Sequence, residues 1–116
     1  PIVAYGASTK GNIVLNYNKL GSSKISYICD ANPKKYGKYT PGSNIEIISK
    51  KKMRKLNPKF LLVLIWSFRS EIIKQEINYI KNGGSLVFHL PKFHIINKIN
   101  YKKFFNKSFK ELSYKY

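Results

Sequence analysis

Residues 2–12 read IVAYGASTKGN: a short apolar run ends in Gly6, and a turn of small residues carrying Ser8, Thr9, Lys10, Gly11 and Asn12 leads into a helical pattern. Such a turn suits an anion. A strand that delivers the chain to a tight turn leaves the next helix with unpaired N–H groups and a partial positive charge at its start. Lys10 adds a point charge, Asn12 an amide donor, and Ser8 and Thr9 hydroxyls, which together fit a phosphate or a polyhydroxylated ligand. The lysine precedes Gly11, so this is not the order of a nucleotide-hydrolysing P-loop. Against the dinucleotide fingerprint G-x-G-x-x-G, Gly6 and Gly11 match, whereas Ser8 stands where a glycine would let backbone approach a pyrophosphate. Asp30 ends the second apolar run, about 20 residues past the turn, where such folds place a carboxylate on a ribose diol. The competing reading is a strand-to-helix connection with no ligand.

The elements that must hold this turn follow from the apolar runs. Ile2–Tyr5, Ile25–Cys29, Phe60–Trp66 and Leu86–Leu90 are short, rich in β-branched or aromatic residues and barely alternating, as strands buried on both faces are. Ile13, Tyr17 and Leu20 share one face of a helix over 12–20, and Ile72, Ile73, Ile77 and Ile80 share one face of a helix over 69–82. Ser70 near the start and Gly83-Gly84 at the end punctuate the second. Residues 30–48 read as a long structured loop followed by a minor strand at Ile45–Ile48, and SKKKMRKL (49–56) as a short basic helix ended by Asn57-Pro58. The order predicts an α/β fold, a Rossmann-like three-layer α/β/α arrangement with a mainly parallel sheet of about five strands. The organised domain spans residues 1–91. Residues 92–116 form a basic aromatic C-terminal tail, an appendage of turns and a short helix packed over a sheet edge, using residues such as His94, Phe105, Phe109 and Leu112.

Composition bounds the function. The 116 residues carry a formal net charge of +17, but every basic residue except Arg54 and Arg69 is lysine, spread from Lys10 to Lys115. Scattered lysine serves as solvated surface charge, whereas arginine is favoured for bidentate reading of guanine and phosphate, so nucleic acid is disfavoured as a partner. Cys29, the only cysteine, excludes a disulfide framework within the chain and a cysteine-based zinc cluster. It reads as a small buried residue rather than a nucleophile. No apolar run approaches the roughly 20 residues of a membrane-spanning helix, so a cytoplasmic location is expected. The chain opens on Pro1, as a piece of a longer protein would.

The succession YGASTKGN, CDANPKKYGKYTPGSNIEI, NPKFLLVLIWSFRSEI and GGSLVFHLP resembles the C-terminal domain of the S-adenosylmethionine-dependent sugar C-methyltransferases over about residues 2–91. That family methylates a carbon of a nucleotide-linked deoxysugar. Its motif order, G-A-x-x-K-G-N, D-x-N-P-x-K-x-G-x-x-x-P-G, W-N-x-x-x-E-I and G-G, is matched four times in sequence, which is far more specific than any one motif. Gly6, Ala7, Lys10, Gly11 and Asn12 match the first. Asp30, Asn32, Pro33, Lys35, Gly37, Pro41 and Gly42 match the second, and Trp66, Glu71 and Ile72 the third, where Ser67 replaces the family's asparagine.

The resemblance implies that a donor domain upstream in the same polypeptide carries S-adenosylmethionine and the catalytic base, and that a further N-terminal domain binds zinc. This chain would then supply no catalytic residue and no metal ligand. Its substrate-binding residues for the nucleotide-linked sugar would be Gly6, Ser8, Lys10, Gly11, Asn12, Asp30, Asn32, Lys35, Pro41, Gly42 and Trp66. His89, inside the last strand, and His94, opening the tail, are not expected to be the family's base. Trp66 and Arg69 lie just past the third strand, where either could meet a base or phosphate. The plainer alternative is that Trp66 caps the core and Arg69 starts a helix in solvent. Two other classes stay open: a standalone Rossmann-like module for NAD or coenzyme A, and a basic nucleic-acid-binding protein.

Overall fold

The structure, a computed structural model, describes residues 2–89 and 92–104; the side chains of Thr9 and Lys10 fall outside that description. Leu90, the boundary at Pro91, and the tail residues Phe105, Phe109 and Leu112 lie outside it too. Within it, one sheet carries six strands: β1 (Ile2–Tyr5), β2 (Tyr27–Asp30), β3 (Ile47–Ser49), β4 (Phe60–Val63), β5 (Ser85–Phe88) and β6 (His94–Ile96). Their order is β3-β2-β1-β4-β5-β6. The first five run parallel, and β6 pairs antiparallel to β5 through Leu86 with Ile96 and Phe88 with His94. The expected α/β class and mainly parallel sheet are thus present, and the strand count of about five is corrected to six. The sixth was missed because three residues, HII, alternate only once and sit among lysines and turns.

The helices are α1 (Thr9–Tyr17), α2 (Lys50–Leu56), α3 (Arg69–Gln75), α4 (Ile77–Lys81) and α5 (Tyr101–Phe104). Side chains alternate across each strand, so the sheet builds two cores. On one face Val3, Tyr5, Leu61, Val63, Leu86, Phe88 and Ile96 meet Met53 of α2, Ile72 and Ile73 of α3, Tyr79 and Ile80 of α4, and Tyr101 and Phe104 of α5. On the other, Ala4, Ile28 and Ile47 meet Leu15 of α1 together with Ile25 and Ile45.

β1 spans its expected run, β2, β3 and β5 are displaced by one or two residues, and β4 ends at Val63 rather than at Trp66; two further differences, in the helices, have local reasons. α1 starts at Thr9 rather than at residue 12, because Ser8 caps it: its Oγ accepts the Gly11 N–H at 3.0 Å. The single helix expected over 69–82 is broken at Glu76, whose backbone leaves helical geometry at φ −106°, ψ 23°. The Glu76 carboxylate turns inward there and accepts from Arg54 Nε (2.9 Å), Arg54 Nη2 (2.6 Å) and the Tyr5 hydroxyl (2.8 Å). A carboxylate only 1% exposed is tolerated because three donors replace its water. The same bonds tie α2 and the α3–α4 joint to β1.

Candidate functional site

The C-terminal ends of the parallel strands share one rim, and at its centre β1 and β4 lie side by side while their following helices go to opposite faces. In open α/β sheets, ligands bind at such a divergence, outside the C-terminal ends of the strands. Gly6 makes the β1–α1 turn possible. Its φ is +101°, and a Cβ there would stand 2.7 Å from Ile65 Cγ2. Gly11 lets α1 lie close, since a Cβ would fall 2.9 Å from Leu64 Cβ and 3.0 Å from the Gly6 carbonyl.

The second motif holds this turn from outside. Asp30 Oδ2 accepts the Ala7 N–H at 2.9 Å, and Lys35 Nζ donates to the Ala7 carbonyl at 2.8 Å. One peptide residue is gripped at both its polar groups. Asp30 Oδ1 accepts the Asn32 N–H at 2.8 Å, Asn32 Oδ1 caps the 3-10 turn Pro33–Lys35 by accepting from Lys34 N at 3.1 Å, and the Tyr36 hydroxyl donates to the Asp30 carbonyl at 2.9 Å. Lys35 Nζ also stands 3.8 Å from Asp30 Oδ2, offsetting its charge.

Pro41 and Gly42 are brought to the flank of α1 instead. Asn16 Nδ2 donates to the Pro41 carbonyl at 3.2 Å, and Gly42 has no room for a Cβ beside the Asn16 amide. Asn12 belongs to this contact, because Ser43 Oγ donates to its Oδ1 at 3.4 Å, and Ser43 is bonded in turn to Thr40. Gly6, Ser8, Gly11, Asp30, Asn32 and Lys35 therefore form one connected group, joined through α1 to Asn12, Pro41 and Gly42. Lys10 occupies the second position of α1, at the rim. Trp66 is separate: it lies in a 3-10 turn after β4 and packs on the core of the α2–α5 face.

Sequence reasoning did not find two buried networks. The first is Tyr5, Arg54 and Glu76, beside a cleft of about 440 Å³ lined also by Asn57, Gln75, Asn78 and Asn82. Burial and the Glu76 charge raise the Tyr5 hydroxyl above its ordinary range, and push the Cys29 thiol up to about 12, so Cys29 stays a protonated, inert thiol. In the second, Arg69 is only 2% exposed rather than in solvent, and its Nη1 lies 3.1 Å from His94 Nε2. His94 is itself buried in β6, stacked between Phe88 and Phe104, with Nδ1 2.7 Å from the Lys92 carbonyl. Burial and the Arg69 charge lower its basicity. His89 is exposed just beyond β5, not inside the strand. A signal for the first network existed, since a Glu at a core position of an amphipathic helix needs a cation within reach.

Among the described residues no group of His, Cys, Asp and Glu could hold a metal, and no helix is long and apolar enough to cross a membrane. Residues 1–91 match the C-methyltransferase C-terminal domain family. The chain is also 34% identical over 96 residues to the C-methyltransferase NovU of Streptomyces niveus, an alignment that covers 83% of this chain and 23% of that protein. The chain thus spans about a quarter of its relative's length. A glycine turn at the β1–β4 divergence, a second motif that clasps it, and a match over the whole sheet-forming segment up to residue 91 together mean that this chain belongs to the C-methyltransferase C-terminal domain family.

Proposed function

We propose that this chain is the C-terminal, sugar-nucleotide-binding part of a cytoplasmic, S-adenosylmethionine-dependent C-methyltransferase acting on a nucleotide-linked deoxysugar, and that it does not transfer methyl groups alone. Its partner is a methyl-donor domain preceding it in the same polypeptide. The strand order and the two cores are read as a Rossmann-like three-layer α/β/α architecture. A core domain over 1–91 carries the site, with residues 92–116 docked on it. The observation that carries the reading is the β1–α1 turn at the strand divergence, held at Ala7 by Asp30 and Lys35. A sugar diphosphate is anionic and rich in hydroxyls, so it is served by helix-start N–H groups, a lysine at position 10 and amides rather than by an apolar slot.

The donor is assigned to the preceding domain on the family resemblance, and the engagement of Asp30 agrees with that. Asp30, at the end of β2 where a nucleoside ribose would be held, already accepts the N–H groups of Ala7 and Asn32. The same engagement counts against a standalone NAD or coenzyme A module. Calorimetric titration with nucleotide sugars and with dinucleotides tests the reading: binding of the sugar nucleotide is expected. Dinucleotide binding without it would reverse the assignment.

A further inference from the structure

The cleft of about 440 Å³ beside Glu76 lies apart from the β1–α1 turn. Its walls are α2 on one side and the α3–α4 joint with α4 on the other, and it reaches Asn57, which precedes β4, and Asn82, which precedes β5. Those are the N-terminal ends of parallel strands, whereas the β1–α1 turn stands at their C-terminal ends, so the two regions occupy opposite ends of the sheet. The walls are bonded to each other. Arg54 of α2 forks onto the Glu76 carboxylate, and the Tyr79 hydroxyl of α4 donates to the Pro58 carbonyl at 2.7 Å. The cleft is therefore built into the fold, and its volume falls among those of small-molecule sites, about 300–1,000 Å³. A second cavity, of about 280 Å³, shares Asn57 and Asn82 and continues past Gly83, with Lys59 Nζ placed 5.7 Å from the centroid of the Phe60 ring.

The lining is rich in amides and balanced in charge. Asn57, Asn78 and Asn82 line the cleft with side chains that make no hydrogen bond among the described residues. Asn78 in α4 and Asn82 at its C-cap are four residues apart, which puts them on one face. Gln75 Oε1 accepts from Lys50 Nζ at 2.9 Å and from the Tyr5 hydroxyl at 3.2 Å, so its amide orientation is fixed and Nε2 is left to donate. The charged residues of the lining, Arg54 and Glu76, neutralise each other. An amide presents both donors and an acceptor, as a hydroxyl does, whereas an anion calls for uncompensated positive charge. A peptide calls for a strand edge or an apolar anchor pocket, and β4 and β5 are both interior strands of the sheet.

We propose that this cleft binds a neutral saccharide, as a second ligand site separate from the β1–α1 turn; the proposal goes beyond the sugar-nucleotide reading and stands whether or not that turn holds a nucleotide sugar. Proton–nitrogen NMR spectra of the 116-residue chain, titrated in turn with glucose, rhamnose and maltose, test it. Saturable shifts of the side-chain amides of Asn57, Gln75, Asn78 and Asn82 are expected with at least one of the three sugars. Asn78→Ala combined with Asn82→Ala should weaken that binding about tenfold, as the loss of two neutral hydrogen bonds does. The melting temperature should hold, because exposed amides without a protein partner contribute little to stability. Shifts that stay linear with all three sugars, that persist unchanged in the double variant, or that fall on the Gly6 and Gly11 amides instead overturn the proposal. Saturation by inorganic phosphate or by a capped triglycine peptide, with none by the sugars, gives the cleft to an anion or to a peptide and also overturns it.

Discussion

Asp30 lies 23 residues beyond Ala7 in the chain, yet its Oδ2 accepts the Ala7 N–H at 2.9 Å. Lys35 closes the other side of the same residue by donating to its carbonyl at 2.8 Å. The pairing explains why the two motifs occur together: the D-x-N-P-x-K segment supplies an acceptor and a donor for the residue that follows Gly6. The start of α1 is thereby held in one place by residues far along the chain.

Asp30→Ala leaves the Ala7 and Asn32 N–H groups without their acceptor. The first donor is part-buried and the second is open to water, so the loss is that of an ordinary hydrogen bond, about 0.5–1.5 kcal/mol. Urea unfolding should show a loss in that range for Asp30→Ala, a smaller loss for Asp30→Asn, and well under about 1 kcal/mol for the partly exposed Lys35→Met. Equal losses for all three would contradict the grip.

Ser8→Ala removes the N-cap of α1 and should cost about 1 kcal/mol, with Ser8→Asp restoring it. Thermal melts of the two variants measure this, and an unchanged midpoint for Ser8→Ala would show that the capping bond contributes nothing.

Arg54→Met strands the Glu76 carboxylate, which is 1% exposed, at a position where Tyr5 alone still donates. Breaking a fully buried pair costs about 3–5 kcal/mol, and because the Arg54 side chain is itself half exposed, about 2 kcal/mol is expected. Arg54→Met combined with Glu76→Leu should recover part of the loss. A double variant less stable than Arg54→Met by itself would show that Glu76 contributes through something other than this pair.

His94 makes stability depend on pH. Its folded-state basicity is depressed from the ordinary 6.5 by burial and by Arg69, so below that pH the unfolded chain binds the proton more readily than the folded one. Stability is complete above about 6.5 and declines as the pH falls through and below that value. Melting curves between neutral and mildly acidic pH should show the decline, and His94→Gln should flatten it. A slope that survives in His94→Gln assigns the titration elsewhere.

Lys10→Ala should weaken nucleotide-sugar binding by the full-length enzyme and leave the fold intact, since a lysine at a helix start contributes little to stability. Unchanged affinity in calorimetry, with an unchanged melting point, would remove Lys10 from the site.

The apolar runs and the glycine turn determined most of the architecture by themselves. IVAY, ISYIC and FLLVLIW could be read as strands because residues buried on both faces leave no alternation, and GASTKGN as the turn because only glycine takes the backbone of Gly6 and only a missing Cβ lets α1 lie against Leu64. The four motifs in order were enough to point to the family. What the sequence could not supply were the partners of its polar groups. Asp30 read as a candidate for a ribose or sugar diol, and Arg69 as either a base or phosphate contact or a solvent-facing helix start, because a carboxylate or guanidinium has the same local signature whether it faces water, a ligand or a distant backbone group. Only the tertiary structure, which brings Asp30 to Ala7, Glu76 to Arg54 and His94 to Arg69 across as many as 25 residues of chain, decided which charges are spent on holding the fold. It also decided that His94-Ile95-Ile96 is a strand, since three residues gain that state from pairing with β5 and not from their own preference.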